Sequence, residues 1–208
     1  MGWTFQPSQG RDRVEIIRDL LDYETDAHAQ KVIDYAVVGT TVYLLVSRTP
    51  KAAWEPSTTY VNDADGSFRW IAVVLTQKAR DAYDFGHKEL EESMGPVEAS
   101  CPKRLITAAS PLRHPDPAVD GNYAARWRQK CLDQAAAKTR RKTDLVHGAT
   151  IRLSCVVDFT DGYKGDRFVV EIVKRHGRNC TYFRAPNGSL YRISNVDKIG
   201  YRVEDAAV

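Results

Sequence analysis

The stretch KVIDYAVVGTTVYLLVS, residues 31–47, decides the fold of the N-terminal half. Two runs rich in apolar and β-branched residues, 31–38 and 41–47, are separated only by Gly39 and Thr40. A two-residue loop is the commonest hairpin connection, and glycine readily adopts the positive φ angle that such turns require. The stretch therefore predicts an antiparallel β-hairpin.

A further strand and a helix extend this hairpin on either side. In FRWIAVVLT, residues 68–76, both alternating sets of side chains become apolar midway, which is typical of a central strand covered on both faces. Upstream, Asp12 and Glu15 form the pattern of a capping box, so we expect a helix over 12–25 with one apolar face. This order predicts an α+β fold, in which helices cover an N-terminal antiparallel sheet.

A strongly polar stretch follows, DAYDFGHKELEESMGPVEASCP at 81–102, with six carboxylates, one histidine and one cysteine. Its pattern predicts a short strand over 82–86, a short helix or turn over 88–94, and a helix over 102–109. Beyond it, three prolines and a glycine within 110–122 indicate a domain boundary.

The rest of the chain predicts a basic helix followed by a small barrel. Residues 122–142 have helical periodicity, with one apolar stripe and many cations. Five short strand-like runs then follow within about sixty residues, and the tight VDKIG connection into the last run is similar to that of SH3-like barrels. We therefore predict an α+β domain at 1–110, a Pro-rich linker with the basic helix at 111–144, and a small SH3-like β-barrel at 145–208.

Charge is distributed unevenly along the chain. The net formal charge is −5 over residues 1–120, +5 over 121–144 and +3 over 145–208. This asymmetry suggests either two surfaces with different partners or a contact of the acidic part with the basic part. No apolar run approaches the ~18 residues that span a membrane. The N-terminus also lacks the apolar core of a signal peptide, so we expect a cytoplasmic protein without membrane contact.

The polar stretch contains residue types used in catalysis, but their spacing favours no enzyme. Asp84, Lys88 and Glu89 suit a metal-dependent nuclease, yet no E-x-K pair accompanies them. His87 and Glu91 could form an acid/base pair on one helical turn, or simply a surface pair. The four cysteines lie 24 to 30 residues apart without a CxxC motif. We predict no enzyme, no metal and no cofactor, with a nuclease or hydrolase as the least favoured alternative.

The basic helix is a candidate nucleic-acid surface, because lysine and arginine contacts to phosphates give affinity for any sequence. Cations at the end of a helix also complement the helix dipole, and a solvent-facing basic surface is the simpler explanation. Tyrosines and arginines alternate in the predicted barrel, where the rings could stack on bases or pack in the core. The candidate residues on the helix are Arg126, Lys138, Arg140, Arg141 and Lys142.

Several motifs are distributed over much of the length: MGWTF (1–5), YAVVGTTVYLLV (35–46), FGHKELEESMGPVEASCP (85–102), ARWRQKC (125–131), and FTDGYKGDRFVV with LYRISN (159–170 and 190–195). By these motifs the chain resembles a family of small uncharacterised proteins of bacteriophages, plasmids and integrated elements that begin Met-Gly-Trp-Thr. The pattern of that family has tyrosine at the position of His87, which argues against a catalytic role for this histidine.

The resemblance implies a role in counter-defence, because mobile elements must survive host immunity. It would be similar to that of anti-CRISPR proteins, which bind a Cas complex and block its access to DNA without catalysis. The partner would be a host defence protein or nucleoprotein complex, such as a type I Cascade, in the host bacterial cytoplasm. Carboxylates would compete for its DNA-holding surface: Asp84, Glu89, Glu91 and Glu92. The alternative is a nucleic-acid-binding accessory protein that uses the basic helix and the barrel.

Overall fold

The computed structural model describes residues 4–51, 55–93 and 99–205, with the backbone alone at 87–89 and 205. The chain forms two compact units, Met1–Ala135 and Ala136–Val208, called unit 1 and unit 2 below. Both contain antiparallel sheets, so the predicted α+β class is confirmed. The predicted division into 1–110, 111–144 and 145–208 stays a prediction.

Unit 1 is built on a curled sheet of six strands that forms a half-barrel, with the strand order β1-β6-β5-β4-β3-β2. The strands are β1 (Thr4–Pro7), β2 (Tyr23–Glu24), β3 (His28–Val38), β4 (Thr41–Pro50), β5 (Phe68–Ala79) and β6 (Ala82–Leu90). The helices in the described residues are α1 (Arg13–Leu21), α2 (Lys103–Ala108), α3 (Tyr123–Asp144) and α4 (Val196–Ile199).

The predicted hairpin lies at the centre of this sheet. Strands β3 and β4 pair in antiparallel register and close where Val38 faces Thr41. Gly39 has a φ of 62°, as the two-residue turn requires. Strand β5 pairs with β4 on one side and β6 on the other, and its residues 70–74 are buried. The prediction of a central strand covered on both faces is confirmed.

The two faces of the sheet are covered by different helices, because successive side chains of a strand point to opposite sides. Apolar residues of α1, such as Ile17 and Leu21, pack on one face with Val42, Leu44 and Val46. The other face packs against α2 and the first half of α3. The buried residues there include Tyr43, Leu45, Ile71, Val73, Leu105, Trp127 and Cys131.

The capping box predicted for α1 is present. The Asp12 carboxylate accepts hydrogen bonds from the backbone N–H of Val14 (2.6 Å) and Glu15 (3.1 Å), and Glu15 accepts one from the Asp12 N–H (3.2 Å). The helix ends at Leu21 rather than at residue 25. Asp22 is already extended, and its carboxylate accepts a hydrogen bond from the Val32 N–H at 2.6 Å. This bond ties the end of the helix to β3.

Replacing Asp12 with Ala is expected to lower the free energy of unfolding by about 1 kcal/mol, because two N–H groups at the start of α1 lose their acceptor. Chemical denaturation followed by tryptophan fluorescence measures this change. Asp26→Ala, in an exposed turn without such contacts, should stay within about 0.5 kcal/mol of the natural protein. Equal effects of the two substitutions would contradict the assigned role of the cap.

The polar stretch differs from its prediction. Strand β6 continues to Leu90, which pairs with Ala72, and a turn follows over 91–93. The short helix or turn predicted over 88–94 is wrong for residues 88–90, because pairing with β5 outweighs the local preference of the polar residues. Residues 91–93 form a turn, as that prediction allowed. Residues 87–90 are extended, so the helical turn on which the His87–Glu91 pair was predicted is not present. Residues 94–98 lie outside the described chain.

Unit 2 has a sheet of five strands in the order β10-β9-β8-β7-β11. The strands are β7 (Thr150–Asp158), β8 (Lys164–Arg175), β9 (Arg178–Arg184), β10 (Leu190–Tyr191) and β11 (Tyr201–Asp205). Its core contains Ile151, Phe168, Val170 and Phe183. The helix α3 runs continuously across the division between the two units. In the described part of the chain, no helix is long and apolar enough to cross a membrane.

Candidate functional site

The acidic residues of the polar stretch whose side chains are described do not form one patch. Asp84 lies near the start of β6, where the Gln77 amide donates a hydrogen bond to it at 3.0 Å. Glu91 and Glu92 follow the other end of this strand. Extended residues advance by about 3.3 Å each, so roughly 25 Å of strand separates Asp84 from the two glutamates. The Glu89 side chain lies outside the described residues.

Glu91 is fully buried and already paired, which corrects its prediction as a partner-facing residue. Arg128 of α3 donates two hydrogen bonds to its carboxylate, from Nε to Oε2 and from Nη2 to Oε1, both at 2.8 Å. The Ile71 backbone N–H donates a third at 2.9 Å. Arg128 also donates from Nη1 to the Ser110 carbonyl at 2.8 Å. A charged group is stable in the interior only with such partners, and these hydrogen bonds allow the Glu91 carboxylate to be buried.

The pair lies in an apolar environment that shifts nearby pKa values. Burial alone would lower the pKa of Arg128, but the hydrogen bonds and charge of Glu91 outweigh it and raise the pKa. Burial raises the pKa of the Cys131 thiol to about 11 and raises that of Cys101 further. These two thiols therefore stay protonated and unreactive at neutral pH.

This ion pair shows that the basic helix does contact the acidic part of the chain, within unit 1. The sequence carried a signal for it. Arg128 lies four residues after Ala124 and three before Cys131, so it shares the apolar stripe of α3. A charged residue on such a stripe indicates a buried partner.

The predicted basic residues are divided among different contacts. The Arg126 guanidinium lies over the Tyr123 ring at 5.0 Å and 3.9 Å from Asp120. In unit 2, the Arg140 guanidinium lies over the Tyr201 ring at 5.5 Å, and Arg141 pairs with Asp197 at 2.5 Å. Lys138 and Lys142 are exposed. At about 100° per residue these five cations spread over more than one side of the helix.

Unit 2 contains a groove of about 520 Å³ with a basic rim. Its cations are Arg141 and Lys142 from the end of α3 and Arg192 from the segment after β10. Its lining includes buried apolar side chains such as Phe183 and Val196, and no carboxylate lines it among the described residues. The other lining residues are Leu145, Val146, Ile172, Asn179, Cys180, Thr181, Phe183, Ile193 and Val196.

Other arginines of unit 2 are neutralised by carboxylates on the sheet. Arg152 pairs with Asp166 at 3.1 Å, and Arg184 pairs with Glu171 at 2.9 Å. Arg167 pairs with Glu204 at 2.8 Å. In the described part of unit 2, Lys142 and Arg192 have no such partner. Lys138, Lys174, Arg175, Arg178 and Lys198 are also exposed and form no ion pair in that part. The groove is therefore one of several places in unit 2 where positive charge is not compensated.

The aromatic residues of unit 2 mostly serve its core. Tyr191 is buried while Arg192 is exposed, and the Tyr191 hydroxyl donates a hydrogen bond to Asp161 at 2.7 Å. The Tyr163 and Tyr191 rings stack with their centroids 5.2 Å apart. Tyr182 is half-buried, with the Arg175 guanidinium 5.2 Å from its ring centre. Few rings are thus free to stack on bases.

In the described chain, no three histidine, cysteine, aspartate or glutamate residues lie close enough to hold a metal ion. The nuclease alternative also relied on His87, Lys88 and Glu89, whose side chains are outside the description. It stays the least favoured reading, and nothing described here brings a second catalytic group to Asp84.

Comparison with known proteins locates a similarity in the basic part of the chain. No curated protein and no solved structure matches the sequence. Residues 119–196 match the family model of a domain of unknown function, DUF6927. This range contains α3, strands β7 to β10 and the first residue of α4, and it includes every residue that lines the groove. The groove therefore lies within the part of the chain that is similar to DUF6927.

Proposed function

We propose that this protein is a non-catalytic binding protein whose groove in unit 2 holds the phosphate backbone of a nucleic acid. The observation that carries the proposal is the convergence of Lys142 and Arg192, which form no ion pair in the described chain, on one groove beside Arg141, which is paired with Asp197. Arg192 is about fifty residues from the other two in sequence, so this convergence is a property of the fold. It favours nucleic-acid binding, the alternative function considered from the sequence, over the binding of a partner protein by acidic residues.

The charge of unit 2 supports a polyanionic ligand. Residues 136–208 hold 14 lysines and arginines against 8 aspartates and glutamates, a net formal charge of +6. The sheet arginines are paired to carboxylates, so part of this excess lies at the groove and part at the neighbouring β8–β9 turn. The cations of that turn are Lys174, Arg175 and Arg178. Phosphates neutralise such cations and release bound counterions, which gives affinity independent of base sequence.

We also propose that unit 2 is an SH3-like barrel. Its strand order places the last strand, β11, beside the first, β7, and the other strands follow in chain order. The short helix α4 directly precedes β11, and Gly200 joins them with a φ of 79°. A β-carbon at this position would lie 2.6 Å from the Ser154 hydroxyl oxygen, so the tight turn requires glycine.

The counter-defence role remains a second proposal. The acidic surface available for it has fewer carboxylates than the sequence suggested. Glu92 is exposed and Asp84 is half-buried, so both carboxylates are accessible to a partner such as a type I Cascade. Glu91 is removed from this surface by burial. A groove that binds nucleic acid would also bring the protein to a host nucleoprotein complex, so the two proposals share a class of target.

The groove proposal predicts salt-sensitive binding. Fluorescence anisotropy with a labelled single-stranded oligonucleotide should show affinity that falls about tenfold or more between roughly 50 and 200 mM salt. About three neutralised phosphates give a log–log slope near −2 for single strands. Unlabelled oligonucleotides of different sequences should displace the labelled one equally well. Salt-independent binding, or none at low salt, would refute the groove as a phosphate site.

A pull-down from host lysate separates the two proposals. If the groove acts on nucleic acid, nuclease treatment of the lysate should remove the captured proteins. If the acidic residues act on a protein, capture should persist after nuclease and be lost in the Asp84→Lys/Glu92→Lys variant. Lys78→Glu/Lys103→Glu, two exposed charge reversals in unit 1, should leave capture unchanged.

A further inference from the structure

A cavity of about 280 Å³ opens at one end of the curled sheet of unit 1. Helix α1 ends at Leu21, which lines this cavity, so the helix does not cover the end of the sheet face. The volume is at the lower limit of small-molecule sites, and the mouth of a barrel-like sheet is a common place for them. This cavity is separate from the groove of unit 2.

One row of register partners supplies much of the wall. Tyr23 of β2 faces Gln30 of β3, Gln30 faces Arg48 of β4, and Arg48 faces Phe68 of β5. Directly opposed residues on neighbouring strands carry their side chains to the same face of the sheet. All four line the cavity, together with Trp70. The row combines one cation, two polar groups and aromatic surface.

The Arg48 guanidinium is held in place but not neutralised. Its Nη2 donates hydrogen bonds to the Gln30 side-chain oxygen (3.3 Å) and to the Tyr23 hydroxyl (3.1 Å). Gln30 is buried and fixed in turn, because its amide donates to the Leu21 carbonyl at 2.8 Å. In the described chain, Arg48 forms no ion pair, and its Nε has no hydrogen-bond partner. Such a fixed and unsatisfied cation suits a carboxylate.

Glu92 supplies an opposite charge in the same cavity. Glu92 is exposed overall, but the protein around its carboxyl group partly shields it from water, which raises its pKa. Arg48 opposes this shift and Glu91 adds to it. A bound cation beside Glu92 would favour the ionised form. Between the two charges, Trp70 and Phe68 provide an apolar wall, and the Phe68 ring is supported by stacking on Tyr60 at 5.2 Å.

We propose that this cavity binds a small zwitterion of the α-amino-acid type with an apolar side chain. Its carboxylate would pair with Arg48, its ammonium group with Glu92, and its side chain would pack on Trp70 and Phe68. The proposal requires both charges of the ligand, which distinguishes it from simple burial of an apolar compound. It is independent of the nucleic-acid function proposed for unit 2.

The test is saturation-transfer NMR and calorimetry on the full chain with L-phenylalanine, L-leucine and the other standard amino acids at millimolar concentration. We expect apolar amino acids to bind. L-phenylalanine amide, without a carboxylate, and N-acetyl-L-phenylalanine, without an ammonium group, should each bind at least about tenfold more weakly, as expected for loss of a charged hydrogen bond.

Two variants and a control complete the experiment. Arg48→Met should weaken binding of L-phenylalanine about tenfold or more, and Glu92→Gln should do so with little risk to folding, because Glu92 is exposed. Lys103→Met removes an exposed cation of unit 1 outside the cavity and should leave binding unchanged. The proposal is overturned if no standard amino acid binds. It is also overturned if the two blocked analogues bind the natural protein as tightly as L-phenylalanine does, and the folded Glu92→Gln variant binds L-phenylalanine as tightly as the natural protein does.

Discussion

Replacing Arg128 with Met is expected to lower the free energy of unfolding of unit 1 by about 3–5 kcal/mol, because it leaves the Glu91 carboxylate buried without a counter-charge. Of its hydrogen bonds within the described chain, the Glu91 carboxylate would keep the one from the Ile71 N–H, and the Ser110 carbonyl would lose its Arg128 donor. Chemical denaturation followed by tryptophan fluorescence reports on this unit, since all four tryptophans precede residue 136. A loss of this size is a large fraction of the stability of a typical domain.

The double variant Glu91→Leu/Arg128→Met separates the cost of an orphaned charge from the value of the pair itself. Replacing both partners with apolar groups is often far less costly than removing one, so the double variant should be more stable than Arg128→Met alone.

The pH dependence of this stabilisation follows from the pKa of Arg128, which in the folded protein is raised above its unfolded value. Its stabilising contribution therefore lies at pH values below the unfolded pKa and is constant across the neutral range.

Arg104 provides a matched control for this prediction. It forms an ion pair with Asp34, but both side chains are about half exposed. Water screens such a pair, so Arg104→Met should cost no more than about 1 kcal/mol. If the Arg128 and Arg104 variants were equally stable, the structural role of the buried pair would be wrong.

The double reversal Lys142→Glu/Arg192→Glu is expected to weaken nucleic-acid binding by about a hundredfold or more, because each change removes a phosphate contact and adds a repulsion. These two residues are preferred to Arg140 and Arg141, which are engaged with Tyr201 and Asp197 and whose loss could disturb the unit itself. Anisotropy titration at low salt measures the change, and circular dichroism checks the fold.

The matched control is Lys164→Glu/Arg202→Glu, which changes the net charge of unit 2 equally but outside the groove lining. Both residues are exposed and form only surface ion pairs, with Asp158 and Glu204. This control should weaken binding only a few-fold through the general field of the unit. Equal losses in the two double variants would show that total charge, rather than the groove, governs binding.

The fold of unit 1 follows in good part from local sequence signals. The capping pattern of Asp12 and Glu15, and the Gly39-Thr40 turn between two apolar runs, act between residues that are close along the chain. Their geometry is therefore decided before any distant contact forms. The apolar residues of 68–76 predicted a buried central strand for the same reason. The class of the fold and the course of the long basic helix were readable in this way.

Only the tertiary structure decided the position of the charges. Glu91 and Glu92 are adjacent and chemically alike, yet one is buried against Arg128, 37 residues away, and the other is exposed. Strand β6 extends through residues with a polar, helix-like pattern, because β5 provides a partner for them. The row from Tyr23 to Phe68 comes together only through strand pairing, and Lys142 and Arg192 meet only where the end of α3 and the segment after β10 line one groove. Electrostatic energy depends on distance in space and on burial, and neither is encoded by the identity of a charged residue alone.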